Sequence, residues 1–508
     1  MTEEQSQVLA FLEREAFSDP VERIDTHAAV VLLVGDRAYK MKRAVRYSFL
    51  DFSTLENRRR VLERELALNR RTAPDLYLGL VPVVRRPDGR LGLGGEGEPV
   101  EWLLEMRRFP SEHRLDRLAS AGRLSLELVE ILARDIVRFH RAAVVRPDKG
   151  GAFAIRKVIA GNASDLRELA SELAAGEAIE RVLAATERRF EALRDLLDVR
   201  RGAGRVRHCH GDLHLENIAL VDGRPVLFDC LEFDEDLACI DVLYDLAFLI
   251  MDLWERGLPQ HAHRLLQAWN DDMVEDAGLQ SLPLFLALRA QVRAKVEGFT
   301  ARLQSRAEDR TAHLARARGY LELAQLALEQ APPRLVAIGG ASGSGKSSLA
   351  FALAPVLGPL PGAMLLRSDV IRKRLFGRAP HEPLPEHAYR AEVSAEVFEI
   401  IANRAATLLE AGWSVICDAV YGKGEQRRRI EEVARELRVP FDGLWLEAPL
   451  EVLVERVEGR GRDVSDADAQ VVRQQIGQLD TAGLAWRRIN AARPLSEVVA
   501  EARTVLEV

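Results

Sequence analysis

The chain has 508 residues, 47% of them hydrophobic and 29% charged, with a formal net charge of −7. That length exceeds what one hydrophobic core supports and calls for two or three domains. The composition is that of a soluble globular protein, and the acidic balance argues against a generalised nucleic-acid-binding surface. No run approaches ~18 apolar residues and the N-terminus is polar, so neither a membrane span nor a signal peptide is expected and a cytoplasmic protein is. The cysteines, Cys209, Cys230, Cys239 and Cys417, are in no C-x-x-C spacing, which suits a reducing compartment and argues against a disulfide framework or a zinc site. Lysine is scarce: Lys40, Lys42, Lys149, Lys157, Lys295, Lys346, Lys373 and Lys423 stand among 71 basic residues, so a lysine at a motif position is informative.

In chain order, residues 4–16 read as an amphipathic helix. The runs 28–34 and 38–42 read as a β-hairpin turning at Gly35-Asp36, followed by a helix over 55–71. Strands are expected over 79–85 and 101–106, on either side of a Gly-rich turn at 88–98, giving a small antiparallel sheet with one inserted helix. The pattern is helical over 125–197 and again over 241–330, around a charged run at 200–207. Ala331-Pro332-Pro333-Arg334 reads as a linker. Beyond it, apolar runs at 335–338, 363–366, 413–417 and 443–446 alternate with helical segments, the signature of a parallel sheet. The expected fold class is therefore two domains: an α+β domain over 1–330, its small antiparallel lobe over about 1–106 and its helical lobe over about 107–330, then, after the 331–334 linker, an α/β domain over 335–508.

The most explicit motif lies in the second domain. Gly340, Ala341, Ser342, Gly343, Ser344, Gly345, Lys346 and Ser347 fit G-x-x-x-x-G-K-[ST] between a strand and a helix, with Ser348 next in the helix. Such glycines let backbone N–H groups surround a phosphate at a helix N-terminus; Lys346 would reach the outer phosphates and Ser347 would hold Mg²⁺. Asp369 and Asp418 end the next two buried strands, where an open parallel sheet has its active crevice. Asp369 is the acceptor-side candidate and Asp418 the metal-side candidate. Arg456, Arg460 and Arg462, in a Gly-rich segment, would serve as a lid on transferring phosphoryl groups.

In the first domain, His210-Gly211-Asp212-Leu213-His214-Leu215-Glu216-Asn217 is followed, after a turn at Asp222-Gly223, by Val226-Leu227-Phe228-Asp229. A hydroxyl that attacks phosphorus needs a carboxylate to orient it and take its proton, and Asp212 suits that role. Asn217 and Asp229 would offer oxygen ligands to Mg²⁺ from either side of a short hairpin. The string resembles the protein-kinase pattern H-R-D-x-x-x-x-N, with Asp229 at the position of the D-F-G aspartate. Its H-G-D-L-H-x-x-N form is similar to that of the aminoglycoside phosphotransferase branch of small-molecule kinases. The resemblance implies a phosphate-gripping lysine, Lys40 or Lys42, with Lys40 giving the better A-x-K alternation. It implies Glu65 as ion-pair partner, with Glu63 second, and a hinge against adenine at 104–107 that includes Met106. No glycine-rich loop precedes the hairpin, and Thr26 and His27 stand in its place. His210 is expected to support the loop, and Asp241 and Asp245 to be structural.

Residues 334–508 resemble small P-loop kinases such as gluconate kinase, chloramphenicol phosphotransferase, polynucleotide kinase and zeta-toxin-like enzymes. That likeness implies that Asp369 activates an acceptor hydroxyl and that Arg372 contacts substrate or phosphate. The whole order, with the pieces at 46–57 and 107–110, resembles bacterial fusions of an aminoglycoside phosphotransferase-like, protein-kinase-like domain with a P-loop ATP-binding domain. The resemblance implies ATP and Mg²⁺ as cofactors, small-molecule hydroxyl acceptors as partners, and a tandem phosphotransferase. Two other readings stay open at this point: one half senses ATP and regulates the other, or the P-loop half phosphorylates nucleic-acid 5′-hydroxyl ends, which the acidic charge disfavours.

Overall fold

The computed structural model describes residues 2–26, 28–47, 50–329, 331–379, 382–459 and 465–508. The chain forms two compact units, Met1–Lys157 with Leu197–Arg256, and Val158–Leu196 with Gly257–Val508.

In the first unit, the helix Glu3–Arg14 is capped by Thr2, whose hydroxyl accepts the Gln5 N–H. It packs Val8 and Leu12 on a six-stranded antiparallel sheet in the order Val21–Asp25, Ala29–Val34, Arg37–Lys42, Glu98–Arg107, Tyr77–Arg85, Leu91–Leu93. The hairpin turns at Gly35 (φ +52°) and Asp36, and its register sets Val31 opposite Lys40. Val30, Leu32 and Met41 fill one face of this sheet. The helix Leu55–Asn69, capped by Thr54, places Leu62 against Tyr77 and Leu104. Further along, Ile218–Val221 pairs with Arg224–Leu227 around Asp222 and Gly223, both at positive φ (+50° and +78°), as a two-residue hairpin turn requires. The helix Val242–Glu255 is buried over nearly its whole length and supports that hairpin's approach loop.

The second unit contains a five-stranded parallel sheet in the order Met364–Arg367, Val415–Asp418, Leu335–Gly339, Phe441–Glu447, Arg487–Asn490. The strands Met364–Arg367, Val415–Asp418 and Leu335–Gly339 are largely apolar and buried, whereas the edge strand Arg487–Asn490, which was not expected from the sequence, buries only Ile489. Val336, Ile338, Leu365 and Ile416 meet Leu349, Leu353 and Val498 in one core. The helix Pro259–Met273 closes the Met364–Arg367 edge. The Gln267 carboxamide accepts the Leu365 N–H at 2.8 Å and donates to the Leu365 carbonyl at 2.9 Å, while His263 Nε2 lies 2.8 Å from the Ala363 carbonyl. Beside it, Trp413 donates to the Leu279 carbonyl (3.1 Å) and Arg404 grips Asp276 with two bonds of 2.7 and 2.8 Å. The helices after Gly257 thus share a compact unit with the parallel sheet, although they precede the Ala331–Arg334 linker in the chain. Among the described residues no helix is long and apolar enough to cross a membrane.

Two candidate active sites

Strand alternation puts Lys40 and Lys42 on one face of the sheet, and both meet Glu65, which is fully buried on the Leu55–Asn69 helix. Lys40 Nζ lies 2.6 Å from Glu65 and 2.8 Å from Asp229, and Lys42 Nζ lies 2.7 Å from Glu65 and 2.6 Å from Glu232. Burial opposes the charge on Lys40, but Asp229 and Glu65 outweigh it and hold its pKa well above the ordinary value. Burial likewise opposes the charges of Glu65 and Asp229, and the lysines outweigh it, so both carboxyls titrate below their usual range. Asp229 is itself in the left-handed region (φ +60°), a conformation costly for a non-glycine residue, and its N–H meets the Tyr77 hydroxyl at 3.0 Å.

Asn217 Nδ2 donates to the Asp212 carbonyl at 2.9 Å and to its carboxylate at 3.0 Å, and His214 Nε2 stands 3.3 Å from the same oxygen. The structure therefore brings Asn217 against Asp212, and Asp229 against Lys40. Asn217 spends its amide nitrogen on this contact, which leaves Oδ1 as its ligand atom. Met106 sits on the strand Glu98–Arg107 opposite Ala38 and, like Phe109, Val226 and Phe228, packs against the core around Leu62, Tyr77 and Leu104. The Thr26 hydroxyl accepts the Ala29 N–H, and His27, Ser48 and Phe49 lie outside the described residues.

The loop carrying Asp212 is held from below by residues that the string does not contain. Asp245 accepts the N–H groups of His210 (3.2 Å) and Gly211 (2.9 Å) and lies 3.1 Å from His140 Nε2. Asp252 accepts the Leu215 N–H at 2.9 Å, and His210 Nε2 meets the Phe228 carbonyl at 2.9 Å. Asn69, four residues after Glu65, accepts the Cys230 N–H at 2.8 Å and donates to the Glu65 carbonyl at 2.9 Å. Asp241 caps the following helix at Leu243 and pairs with Arg200 at 2.7 Å. Glu232, Asn69, Asp252 and His140 were not singled out from the sequence; Asp245 was, as structural. Asp245 and Asp252 stand out locally as acidic residues in the otherwise apolar stretch of the helix Val242–Glu255, whereas Glu232 lies in a loop and Asn69 ends a polar helix, where nothing local marks them.

In the second unit the glycine loop follows the strand Leu335–Gly339. Gly340 and Gly343 are at φ +137° and +84°, and a Cβ there would come within 2.5 Å of the Leu446 carbonyl and 2.6 Å of the Leu453 carbonyl. Only glycine fits. Lys346 Nζ donates to the Ala341 carbonyl at 2.8 Å, and Ser347 Oγ is 2.5 Å from Asp418. Burial pushes the Asp418 carboxyl up, partly offset by Lys346 and Ser347. A buried carboxylate beside a hydroxyl, facing a loop of N–H donors, fits a divalent cation accompanied by phosphate.

A cavity of about 1780 Å³ opens from Ser342, Gly343, Gly345, Lys346, Ser347 and Ser348. Asp369, Arg372, Asp418 and Arg456 stand on its walls as well. Asp369 stands in the first turn of the helix Ser368–Leu375, and its side chain makes no hydrogen bond among the described residues. Asp466 joins Lys373 (2.9 Å), the Tyr389 hydroxyl (2.9 Å) and the Leu384 N–H (3.1 Å), and Gln475 accepts the Ser342 N–H at 2.9 Å. Arg460, Arg462 and His381 lie outside the described residues.

Residues 37–285 match the family described as phosphotransferase enzyme family, and residues 335–481 match the AAA domain family. An uncharacterized protein of Mycobacterium tuberculosis is 32% identical over 492 residues, which span 92% of this chain and 94% of that protein. One of Mycobacterium bovis matches to the same extent. The chain belongs to their family, fusions of a phosphotransferase-family domain with a P-loop domain. Among solved structures, a choline/ethanolamine kinase family protein from Mesorhizobium loti is 15% identical, covering 64% of this chain and 99% of its own, with a TM-score of 0.36. A gluconokinase from Sinorhizobium meliloti is 24% identical, covering 35% of this chain and 94% of its own, with a TM-score of 0.26. This member of the fusion family thus joins a kinase-like phosphotransferase domain to a nucleotide-binding P-loop domain of kinase type.

Proposed function

We propose that the protein is a tandem phosphotransferase, each half moving the γ-phosphoryl group of ATP to a hydroxyl on a small molecule. One observation carries this reading: the chain holds two separate sets of lysine, metal-type ligands and acceptor-side carboxylate, Lys40 with Asp229, Asn217 and Asp212, and Lys346 with Ser347, Asp418 and Asp369.

In the first site Glu65 fixes the Lys40 ammonium so that it meets phosphate oxygens without reorganising. Asp212, steered by Asn217 and His214, orients the acceptor hydroxyl and takes its proton as the new O–P bond forms. In the second, the glycine loop supplies N–H donors and Lys346 exchanges the Ala341 carbonyl for phosphate, while Asp369, with no hydrogen bond of its own, receives the acceptor hydroxyl. Mg²⁺, when bound at Asp229 and Asn217 or at Ser347 and Asp418, neutralises phosphate charge. Four buried free cysteines suit a reducing, cytoplasmic setting.

ATP turnover of the Asp212→Asn and Lys346→Ala variants against a panel of hydroxyl metabolites tests the reading. Each variant should lose one subset of acceptors. Acceptor phosphorylation untouched by either change would refute it.

A further inference from the structure

The helix Ala469–Gln478 carries four glutamines, and Gln470, Gln474, Gln475 and Gln478 all line the large cavity beside the glycine loop. Asp468 caps this helix by accepting the Val471 N–H at 2.8 Å. Apolar packing fixes where it lies. Val472 is buried in one small core with Ala341, a residue of the glycine loop itself, and with Leu453 and Val457; Leu479 packs against the same core. Just past the helix, the Asp480 N–H donates to the Gly422 carbonyl at 2.9 Å, and just before it Asp466 holds Lys373 and the Tyr389 hydroxyl.

Gln475 stands three residues after Val472 and four before Leu479, so it shares the face that meets the loop. Its carboxamide accepts the Ser342 N–H at 2.9 Å. A backbone N–H only donates, so Oε1 is committed to Ser342 and Nε2 stands on the other side of the carboxamide. Nε2 has no hydrogen-bond partner among the described residues.

The place of Ser342 along the loop decides which phosphate is near. Lys346, whose ammonium reaches the β- and γ-phosphates in loops of this form, holds the Ala341 carbonyl at 2.8 Å. Ser342 is the next residue, so Gln475 stands at the outer-phosphate end. The Ser342 N–H is spent on the carboxamide, and the carboxamide, polarised by that bond, offers its own N–H in exchange.

We infer that Gln475 contacts the terminal phosphoryl group through Nε2, so that the helix Ala469–Gln478 makes the P-loop site selective for a nucleoside triphosphate over a diphosphate. The inference rests on reading the glycine loop as a nucleotide site. A helix that merely pins Ser342 would use Oε1 alone and would not tell the two nucleotides apart.

The test is calorimetric titration of the full chain, in Mg²⁺, with AMP-PNP and separately with ADP. The binding followed is the component that Lys346→Ala removes, so nucleotide bound elsewhere does not enter. Gln475→Ala should weaken AMP-PNP by about ten-fold or more, the scale of a lost hydrogen bond to a charged group, and ADP by about two-fold at most. Gln475→Glu keeps an oxygen for the Ser342 N–H but puts a negative charge where the donor stood. It should weaken AMP-PNP further than alanine does and leave ADP near the wild-type value. Lys346-dependent AMP-PNP binding that neither variant weakens, or a loss that is equal for ADP, overturns the contact and leaves the nucleotide site standing. No Lys346-dependent binding of either nucleotide would instead refute the nucleotide site, and the contact with it.

Discussion

Lys40 Nζ sits 2.8 Å from the Asp229 carboxylate, although 189 residues separate them in the chain. Glu65 joins this pair to a second one, Lys42 with Glu232, so two lysines of one strand share a single buried carboxylate. The two lysines therefore answer differently to substitution. Lys40→Met should lower kcat of the first site by roughly 10²–10³-fold, the scale of losing one preorganised donor to the transferring group. Lys42→Met should chiefly lower stability, by about 3–5 kcal/mol, because Glu232 is left buried without its cation. Steady-state kinetics and denaturant unfolding of the two variants check this; equal kinetic effects with no stability difference would contradict it.

Asp245 lies 35 residues beyond His210 in the chain, yet it accepts two consecutive backbone N–H groups of the Asp212 loop, those of His210 and Gly211. Asp245→Ala should leave both amides unpaired, at about 1–3 kcal/mol each, and disorder the approach to Asp212. The expected outcome is a lowered Tm with loss of first-site activity, while acceptors of the P-loop site are phosphorylated at the wild-type rate. Assays of each acceptor subset separate these effects.

Asp271, on the helix that closes the sheet edge, is pushed up to about 6 by burial, with Arg367 and Arg404 only partly compensating. A carboxyl whose pKa is raised by folding binds its proton more tightly in the native state. Its contribution is fully present below pH ~4 and is lost as pH rises through about 6. Asp271→Asn, which can still accept the Gln267 amide, should therefore stabilise the protein at pH 8 by at most about 3 kcal/mol, less where solvent reaches the carboxyl, and by nothing at pH 4. Thermal unfolding at the two pH values checks the sign.

The edge strand that leads to Asp369 has its Leu365 N–H and C=O satisfied by one side chain, Gln267. A fragment beginning at residue 331 would expose that edge as a template for intermolecular pairing. It should be less stable and more prone to aggregate than the same residues in the full chain, and Gln267→Ala in the full chain should cost about 2–4 kcal/mol. A monomeric 331–508 fragment with full-chain unfolding behaviour would contradict this.

The parts of this architecture that were legible in the sequence are those written contiguously. The loop Gly340–Ser347 and the string from His210 to Asp229 each confine their donors and carboxylates to a short stretch, with local geometry fixed by glycine and by an Asp-Gly turn. Four strands of the parallel sheet were legible because burial leaves runs such as Leu335–Gly339 and Val415–Asp418 apolar, whereas the edge strand Arg487–Asn490 is polar and mostly exposed and carries no such signal. What was not legible depends on partners far apart in sequence. Nothing near Lys42 announces Glu232, and nothing near Leu365 announces Gln267, 98 residues earlier. The two-residue strands Arg46–Tyr47 and Leu50–Asp51 and the three-residue strand Val206–His208 carry too few residues for a period to register.

The central claim is that the chain contains two separate nucleotide sites, one organised by Lys40 and one by Lys346. Calorimetric titration of the full chain with Mg²⁺ and AMP-PNP measures this directly. The account predicts two nucleotides bound per chain, and one in each of Lys40→Met and Lys346→Ala. A stoichiometry of one in the wild type, abolished by a single one of these substitutions and untouched by the other, would contradict it.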